Sequence, residues 1–381
     1  MSAGRRLARA GSSGVTLLGG VTLAVVPAAV VSISARLFTA PEQGRIAVAV
    51  LVATFVGQLA FAVVVESRLA SPGSGRRVVF PRWLALLGIA TALVLCVFPA
   101  DAVLLCVGLP VLAAALEVGR GVSVAERLDG REAYASIAVG AGALGGVLAG
   151  LAGQRWALVP LFAGIAVATL VRSAPVGDRS GRRDPGVLRW VLADTVITGV
   201  IPPLLNAMIL AFLGPVEAVL FTSVSTVSGL LAIPLNFMRL RLLKEHSRLD
   251  VVVSGTAVVG AAVVLLVLDR LRGFGLLFGE AWNAETALVP LLVACAWRAL
   301  SLLTTIPFTA LRRAGEVRVL TALRAVVAVA TFALAVASLR LGSLVAVFAG
   351  LAVAEALAAL VYERAAQARV GRQPKRFQPL P

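Results

Sequence analysis

The chain has 381 residues, of which 59% are apolar and only 14% charged, and its mean hydropathy is +0.96. A soluble domain of this size needs more charge to cover its surface, so a water-soluble enzyme or binding module is excluded. The formal net charge of +16 arrives in small groups of arginine between apolar runs, without an interleaved aromatic platform. Nucleic acid is therefore not an expected partner, and membrane topology is the better account of the basic residues.

The apolar runs are continuous and lack period-two alternation, which predicts an all-α, polytopic membrane protein and not a barrel. Arg5, Arg6 and Arg9 precede a run from about Val15 to Leu37. That run is too long for the apolar region of a signal peptide, so it reads as the first span. Twelve spans are expected in all, near 14–37, 44–65, 83–98, 102–119, 133–152, 157–171, 190–213, 216–238, 251–268, 287–308, 318–339 and 341–362. With both termini cytoplasmic, the inner segments hold 27 Arg or Lys and the outer loops 6, leaving Arg298 and Arg324 within spans. That asymmetry sets the orientation and supports an even number of helices in an inner (plasma) membrane.

The longest inner loop, 172–189, is rich in Gly, Pro and charge and reads as a linker. It divides the chain into a six-helix bundle over 1–171 and another over 190–362, followed by a cytoplasmic tail at 363–381. A weak repeat follows the same division. Arg127 and Gly130 match Arg312 and Gly315 at one offset, and T-A-P-E-Q-G at 39–44 resembles L-G-P-V-E-A at 213–218. Either a parallel repeat about an axis normal to the membrane or chance similarity in low-complexity apolar sequence accounts for it.

Within the spans, Gly142, Gly146 and Gly150 share one helix face and predict close helix packing. Asp194 lies a few residues into the seventh span, which also carries Pro202, Pro203 and Asn206. Two prolines remove backbone donors and predict a kink whose carbonyls need other partners. The eighth span adds Thr222, Ser223, Ser225, Thr226, Ser228 and Asn236, a hydroxyl-rich set suited either to a cavity wall or to helix packing. Charges inside spans cost about 2.5–3.5 kcal/mol each on insertion scales and so require a reason. Arg298, near the middle of span ten, predicts a wet cavity that binds an anion, or a structural pair. Arg324 and Glu355 each lie about 10 Å from the cytoplasmic helix end, at 1.5 Å per residue, on adjacent antiparallel spans. They are the expected ion pair, with a structural or a gating role. Arg298, Asn206, Asp194 and Asn236 make up the candidate substrate-contacting set.

No catalytic constellation and no cofactor site is expected. There is no Gly-Lys-Ser/Thr phosphate loop, and the single histidine, His246, lies in a basic loop. Cys96, Cys106 and Cys295 fall in apolar runs and suggest neither a disulfide framework nor a metal cluster.

Four segments carry a family resemblance: A-R-L-F-T-A-P-E-Q-G-R-I-A at 35–47, V-L-A-D-T-V-I-T-G-V-I-P-P-L-L-N-A-M-I-L-A-F-L-G-P-V-E-A at 191–218, L-F-G-E-A-W at 277–282 and I-P-F-T-A-L-R-R-A-G-E-V-R at 306–318. In order and spacing the chain resembles, over about 14–362, the polysaccharide flippases of the multidrug/oligosaccharidyl-lipid/polysaccharide exporter superfamily. The resemblance implies two six-helix bundles around a central cavity, alternating access, and movement of a polyprenyl-pyrophosphate-linked oligosaccharide for cell-surface polysaccharide synthesis. It implies as partners that lipid-linked oligosaccharide, membrane lipids, and glycosyltransferases or a polysaccharide polymerase. A cation such as Arg298 suits the pyrophosphate or an acidic sugar. Many relatives have fourteen spans where this chain has twelve. The cation-coupled drug exporters of the superfamily use carboxylates within the first bundle. Glu66, Glu117 and Glu132 are expected near cytoplasmic ends and not buried, which ranks that function second. Peptidoglycan-precursor flippases, with cationic first bundles, rank third. A glycan-assembly enzyme is disfavoured, because the longest outer loop, near 269–286, offers only Asp269, Arg270, Arg272, Glu280 and Glu285. A non-transporting scaffold remains an alternative.

Overall fold

A computed structural model describes residues 3–69, 78–173, 184–232, 235, 248–279, 282–313 and 317–370. Helix lies over each of the twelve expected runs, but the first starts as early as Ala3, the last runs on to Val370, the run 190–213 is divided into two helices, and residues 233–234 and 236–238 of the eighth lie outside the described residues. Helix α1 spans Ala3–Leu37, and α2 runs from Ala40–Phe61 through a π-helical stretch, Ala62–Glu66, to Leu69. Then come α3 (Arg82–Val97), α4 (Ala102–Ala125), α5 (Asp129–Leu151), α6 (Leu158–Arg172), α7 (Pro185–Gly199) and α8 (Ile201–Phe212). The remainder are α9 (Pro215–Gly229), α10 (Arg248–Arg270), the short α11 (Gly273–Phe278), α12 (Ala284–Arg313), α13 (Val317–Leu339) and α14 (Leu344–Val370). Among the described residues, 8 helical stretches are long and apolar enough to cross a membrane, and Arg82–Val97 and Leu158–Arg172 are shorter apolar helices. The protein is an all-α, polytopic membrane protein.

Local chemistry sets several helix ends. The Glu42 carboxylate receives both the backbone N–H and the hydroxyl of Thr39, closing the start of α2 ahead of Pro41. Asp101 accepts from Val103 N and Leu104 N to cap α4, and Asp184 accepts from Gly186 N to cap α7. Pro202 and Pro203 stand in the first turn of α8, directly after α7 stops at Gly199. Neither proline can donate to the preceding turn, so the two helices meet at an interruption around Val200.

The chain divides into two compact units, Met1–Ser223 with Leu277–Ala281, and Val224–Leu276 with Trp282–Pro381. The division falls inside α9, later in the chain than the linker expected at 172–189, because α7 and α8 pack against α2. In the first unit α2 packs on α4, α5 on α6 and α1, and α3 on α6 and α4. Val64, Phe80, Leu84, Ala115 and Val118 are among the residues of one buried apolar cluster there. The glycine face of α5 meets α6 closely. A Cβ at Gly142 would run into the carbonyl oxygen of Pro160, and one at Gly146 would lie 2.7 Å from the carbonyl oxygen of Ala157. The small residues let the two backbones approach.

In the second unit α14 packs along α12 and α13, and α10 along α12. Phe308, Leu311, Leu320, Ala358, Tyr362 and Ala366 form its apolar cluster. Large apolar side chains such as Leu86, Leu144, Val264 and Val329 remain exposed on the helix flanks, as expected of surfaces that face lipid.

Candidate functional site

Polar groups within these helices require partners, and they gather in separate places within the two units. In the first unit, Glu132 sits in the first turn of α5 and Arg172 at the last turn of α6. Arg172 donates from Nε to Glu132 Oε2 at 2.9 Å and from Nη2 to Oε1 at 2.7 Å. Both side chains are excluded from solvent, at 1% and 2% exposure. Ser136, one turn along α5, donates to Glu132 Oε1 at 3.3 Å. Helix α1 crosses this pair at a glycine: a Cβ at Gly19 would collide with Glu132 Oε1 and lie 3.2 Å from Arg120 Nε. The expectation that the first six spans bury no carboxylate is thus corrected. Helix α5 begins at Asp129, earlier than expected, and this brings Glu132 inside the bundle opposite Arg172.

Asn206 is fully buried on α8 and donates from Nδ2 to Thr222 Oγ1 at 2.9 Å. Thr222 in turn is within reach of the carbonyls of Ala218, at 3.1 Å, and Ala47, at 3.4 Å. Asn206 Oδ1 has no hydrogen-bond partner among the described residues. This small network links α8, α9 and α2. Asp194 is half-buried on α7, where its backbone carbonyl accepts from Thr198. Asn236 and His246 lie outside the described residues.

The second unit holds Arg298 and Arg324, the two mid-span arginines expected from the sequence. Arg298 is half-buried near the centre of α12, its guanidinium 4.1 Å from the centroid of the Trp297 ring. Trp297 leans in turn on the buried Phe348 of α14, at 6.4 Å between rings. The guanidinium therefore rests on an aromatic platform, a geometry that stabilises it by cation–π attraction. Its Nε is buried and has no hydrogen-bond partner among the described residues. Glu355 of α14 is the carboxylate whose charge acts on Arg298. It accepts a 2.6 Å hydrogen bond from the hydroxyl of Thr304, on the same helix as Arg298.

The structure does not join Arg324 to Glu355. The guanidinium of Arg324 lies 4.6 Å from the centroid of Phe308, which meets Tyr362 edge-on at 6.2 Å. The expected partners turn to different neighbours, and α14 runs on to Val370, past the end from which the depth of Glu355 was expected. Of the candidate substrate-contacting residues, Asp194 and Asn206 belong to the first unit and Arg298 to the second.

Two polar arrangements escape the sequence reading altogether. One is the pair of Glu132 and Arg172. The other is at the end of α10, where the buried carboxylate of Asp269 accepts from the indole N–H of Trp282 at 2.7 Å. Phe274 packs 5.1 Å from the Trp282 ring. No group of three or more His, Cys, Asp or Glu able to hold a metal is found among the described residues.

No protein-family model and no curated protein sequence matches the chain. Solved structures do. An inward-facing multidrug resistance MATE family transporter of the MOP superfamily matches with a TM-score of 0.56 at 14% identity, covering 94% of this chain and 96% of that one. Its outward-facing counterpart gives 0.55 at 13%, with coverage of 94% and 96%. A MATE crystal structure in a bent conformation gives 0.52 at 13%, with 95% and 97% covered. The likeness runs nearly the full length of each chain and establishes a shared fold.

Proposed function

We propose that the protein is an alternating-access transporter that flips a polyprenyl-pyrophosphate-linked oligosaccharide across the cell's inner membrane, with both termini cytoplasmic. The observation that carries the substrate class is Arg298: a guanidinium at mid-span, seated on Trp297, with its Nε lacking a hydrogen-bond partner among the described residues. A cation in that position costs energy unless something anionic compensates it. The fork of a guanidinium suits the oxygens of a pyrophosphate. Support for transport comes from the full-length fold likeness, and support for the orientation from the 27-to-6 distribution of basic residues. Glycosyltransferases or a polysaccharide polymerase would supply or consume such a substrate.

The test is complementation of a strain lacking its own oligosaccharide flippase. Wild-type protein restores surface polysaccharide, whereas Arg298→Ala reaches the membrane at normal level and does not. Normal export by that variant would remove Arg298 from the substrate path.

A second reading, a cation-coupled exporter of small molecules, gains from the carboxylate of Glu132 buried in the first unit. Glu132 is, however, fully engaged by Arg172, and a carboxylate held this way is a poor carrier for a coupling ion. Drug-resistance assays with Glu132→Gln, normalised to the amount of protein in the membrane, discriminate: loss of resistance beyond the loss of protein favours the exporter.

A further inference from the structure

Thr304 and Glu355 form a polar contact that the substrate reading of Arg298 leaves unused. Arg298 and Thr304 share α12, six residues apart, so about 9 Å of helix at 1.5 Å per residue separates them. Glu355, across on α14, sits where both bear on it. Its Oε1 takes the Thr304 hydroxyl at 2.6 Å, and its charge acts on Arg298. Yet no ion pair joins it to Arg298 among the described residues, where Arg298 Nε also has no hydrogen-bond partner. A carboxylate and a guanidinium carried on packed helices in a poorly solvated setting attract strongly when they meet, and a hydroxyl is the weaker partner of the two. That Glu355 is nevertheless engaged by Thr304 leaves the cation open to an incoming anion.

We propose that Glu355 is an internal competitor for the anion site on Arg298, and that Thr304 is the positioning residue that holds this carboxylate aside while the site is open. Occupancy of Arg298 then alternates between the anion of the substrate and Glu355. Each pairs the guanidinium in turn, Trp297 supports it while the site is open, and the bound anion has a route to release. No bond is made or broken beyond these hydrogen bonds and ion contacts. The inference rests on the reading of Arg298 as an anion site.

The experiment measures equilibrium binding of radiolabelled farnesyl pyrophosphate to the purified full-length protein in detergent micelles, with a monodisperse size-exclusion profile required of each variant. Wild type binds and Arg298→Ala does not. Glu355→Gln binds about tenfold more tightly, because the competitor is gone. Thr304→Val binds about tenfold more weakly, because Glu355 closes on Arg298, and Thr304→Ser, which keeps the hydroxyl, binds as wild type does. The double variant Thr304→Val with Glu355→Gln binds as tightly as Glu355→Gln alone, since Thr304 acts only through the carboxylate. Wild-type affinity in Thr304→Val or in Glu355→Gln overturns the proposal while leaving the anion site standing, and so does a double variant that keeps the weakness of Thr304→Val. Failure of wild type to bind, or undiminished binding by Arg298→Ala, overturns the anion reading itself and this inference with it.

Discussion

Arg172 grips Glu132 through two hydrogen bonds, at 2.9 and 2.7 Å, across the interface of α5 and α6. Both side chains are buried, so the pair has no water to fall back on. Removing one partner strands the other charge, which typically costs about 3–5 kcal/mol. Arg172→Ala and Glu132→Gln are each expected to lower the melting temperature in detergent and the amount of protein in the membrane. Arg172→Lys, which keeps the charge but not the fork, falls between them and wild type. Unchanged melting of Arg172→Ala would show that the pair contributes nothing to stability.

The glycine face of α5 gives a graded expectation. A Cβ at Gly142 or Gly146 meets the carbonyl of Pro160 or Ala157, which are backbone atoms with little room to retreat. At Gly150 the nearest atom is the Ala157 side chain at 3.7 Å, an ordinary contact. Gly142→Ala and Gly146→Ala should therefore destabilise by about 1–3 kcal/mol, as overpacking does, and Gly150→Ala should be tolerated. Thermal melts of the three single variants check this order.

Exchanging the charges of Arg324 and Glu355 should not restore what either single change loses. Each has its own surroundings: Phe308 beneath Arg324, Thr304 bonded to Glu355. Phe308→Leu, which removes the ring under the guanidinium and the edge contact to Tyr362, should cost about 1 kcal/mol. Membrane levels of the two single variants, the swap and Phe308→Leu decide; rescue by the swap would mean the two charges do meet.

Trp282→Phe keeps the ring stack on Phe274 but deletes the N–H that satisfies Asp269. Leaving a buried carboxylate oxygen without its donor costs about 1–3 kcal/mol. Asp269→Asn still offers an oxygen to the indole and is expected to cost less. Melting followed by the change in tryptophan fluorescence in Asp269→Asn, and by light scattering in Trp282→Phe, tests the difference.

Hydropathy alone located the helices, eight of which are long and apolar enough to cross a membrane among the described residues, because a helix that crosses lipid must be apolar over its length and the loops must not be. The double proline at 202–203 likewise announced the interruption around Val200, since the missing donors are a property of the residues themselves. The helices that carry Arg324 and Glu355 were legible, but the partners of the two charges were not. A helix follows from the run of residues along one segment, whereas pairing depends on how each helix is rotated about its axis. Glu132 and Arg172 lie 40 residues apart, and each looks in the sequence like one more loop charge. Only the packing of α5 on α6 turns them toward each other. Thr304 carried no signal at all, being one of several hydroxyls in its span.

The position of Arg172 has a consequence for how the protein is made. Helix α6 is short, with 15 residues, and its last residue is an arginine sealed in the bundle. An arginine at that place cannot be left facing lipid while the rest of the chain is synthesised. Glu132 precedes it in the chain and so emerges from the ribosome first, at the head of α5. The carboxylate is already present when the guanidinium arrives, so the bidentate contact is available as soon as α6 packs on α5.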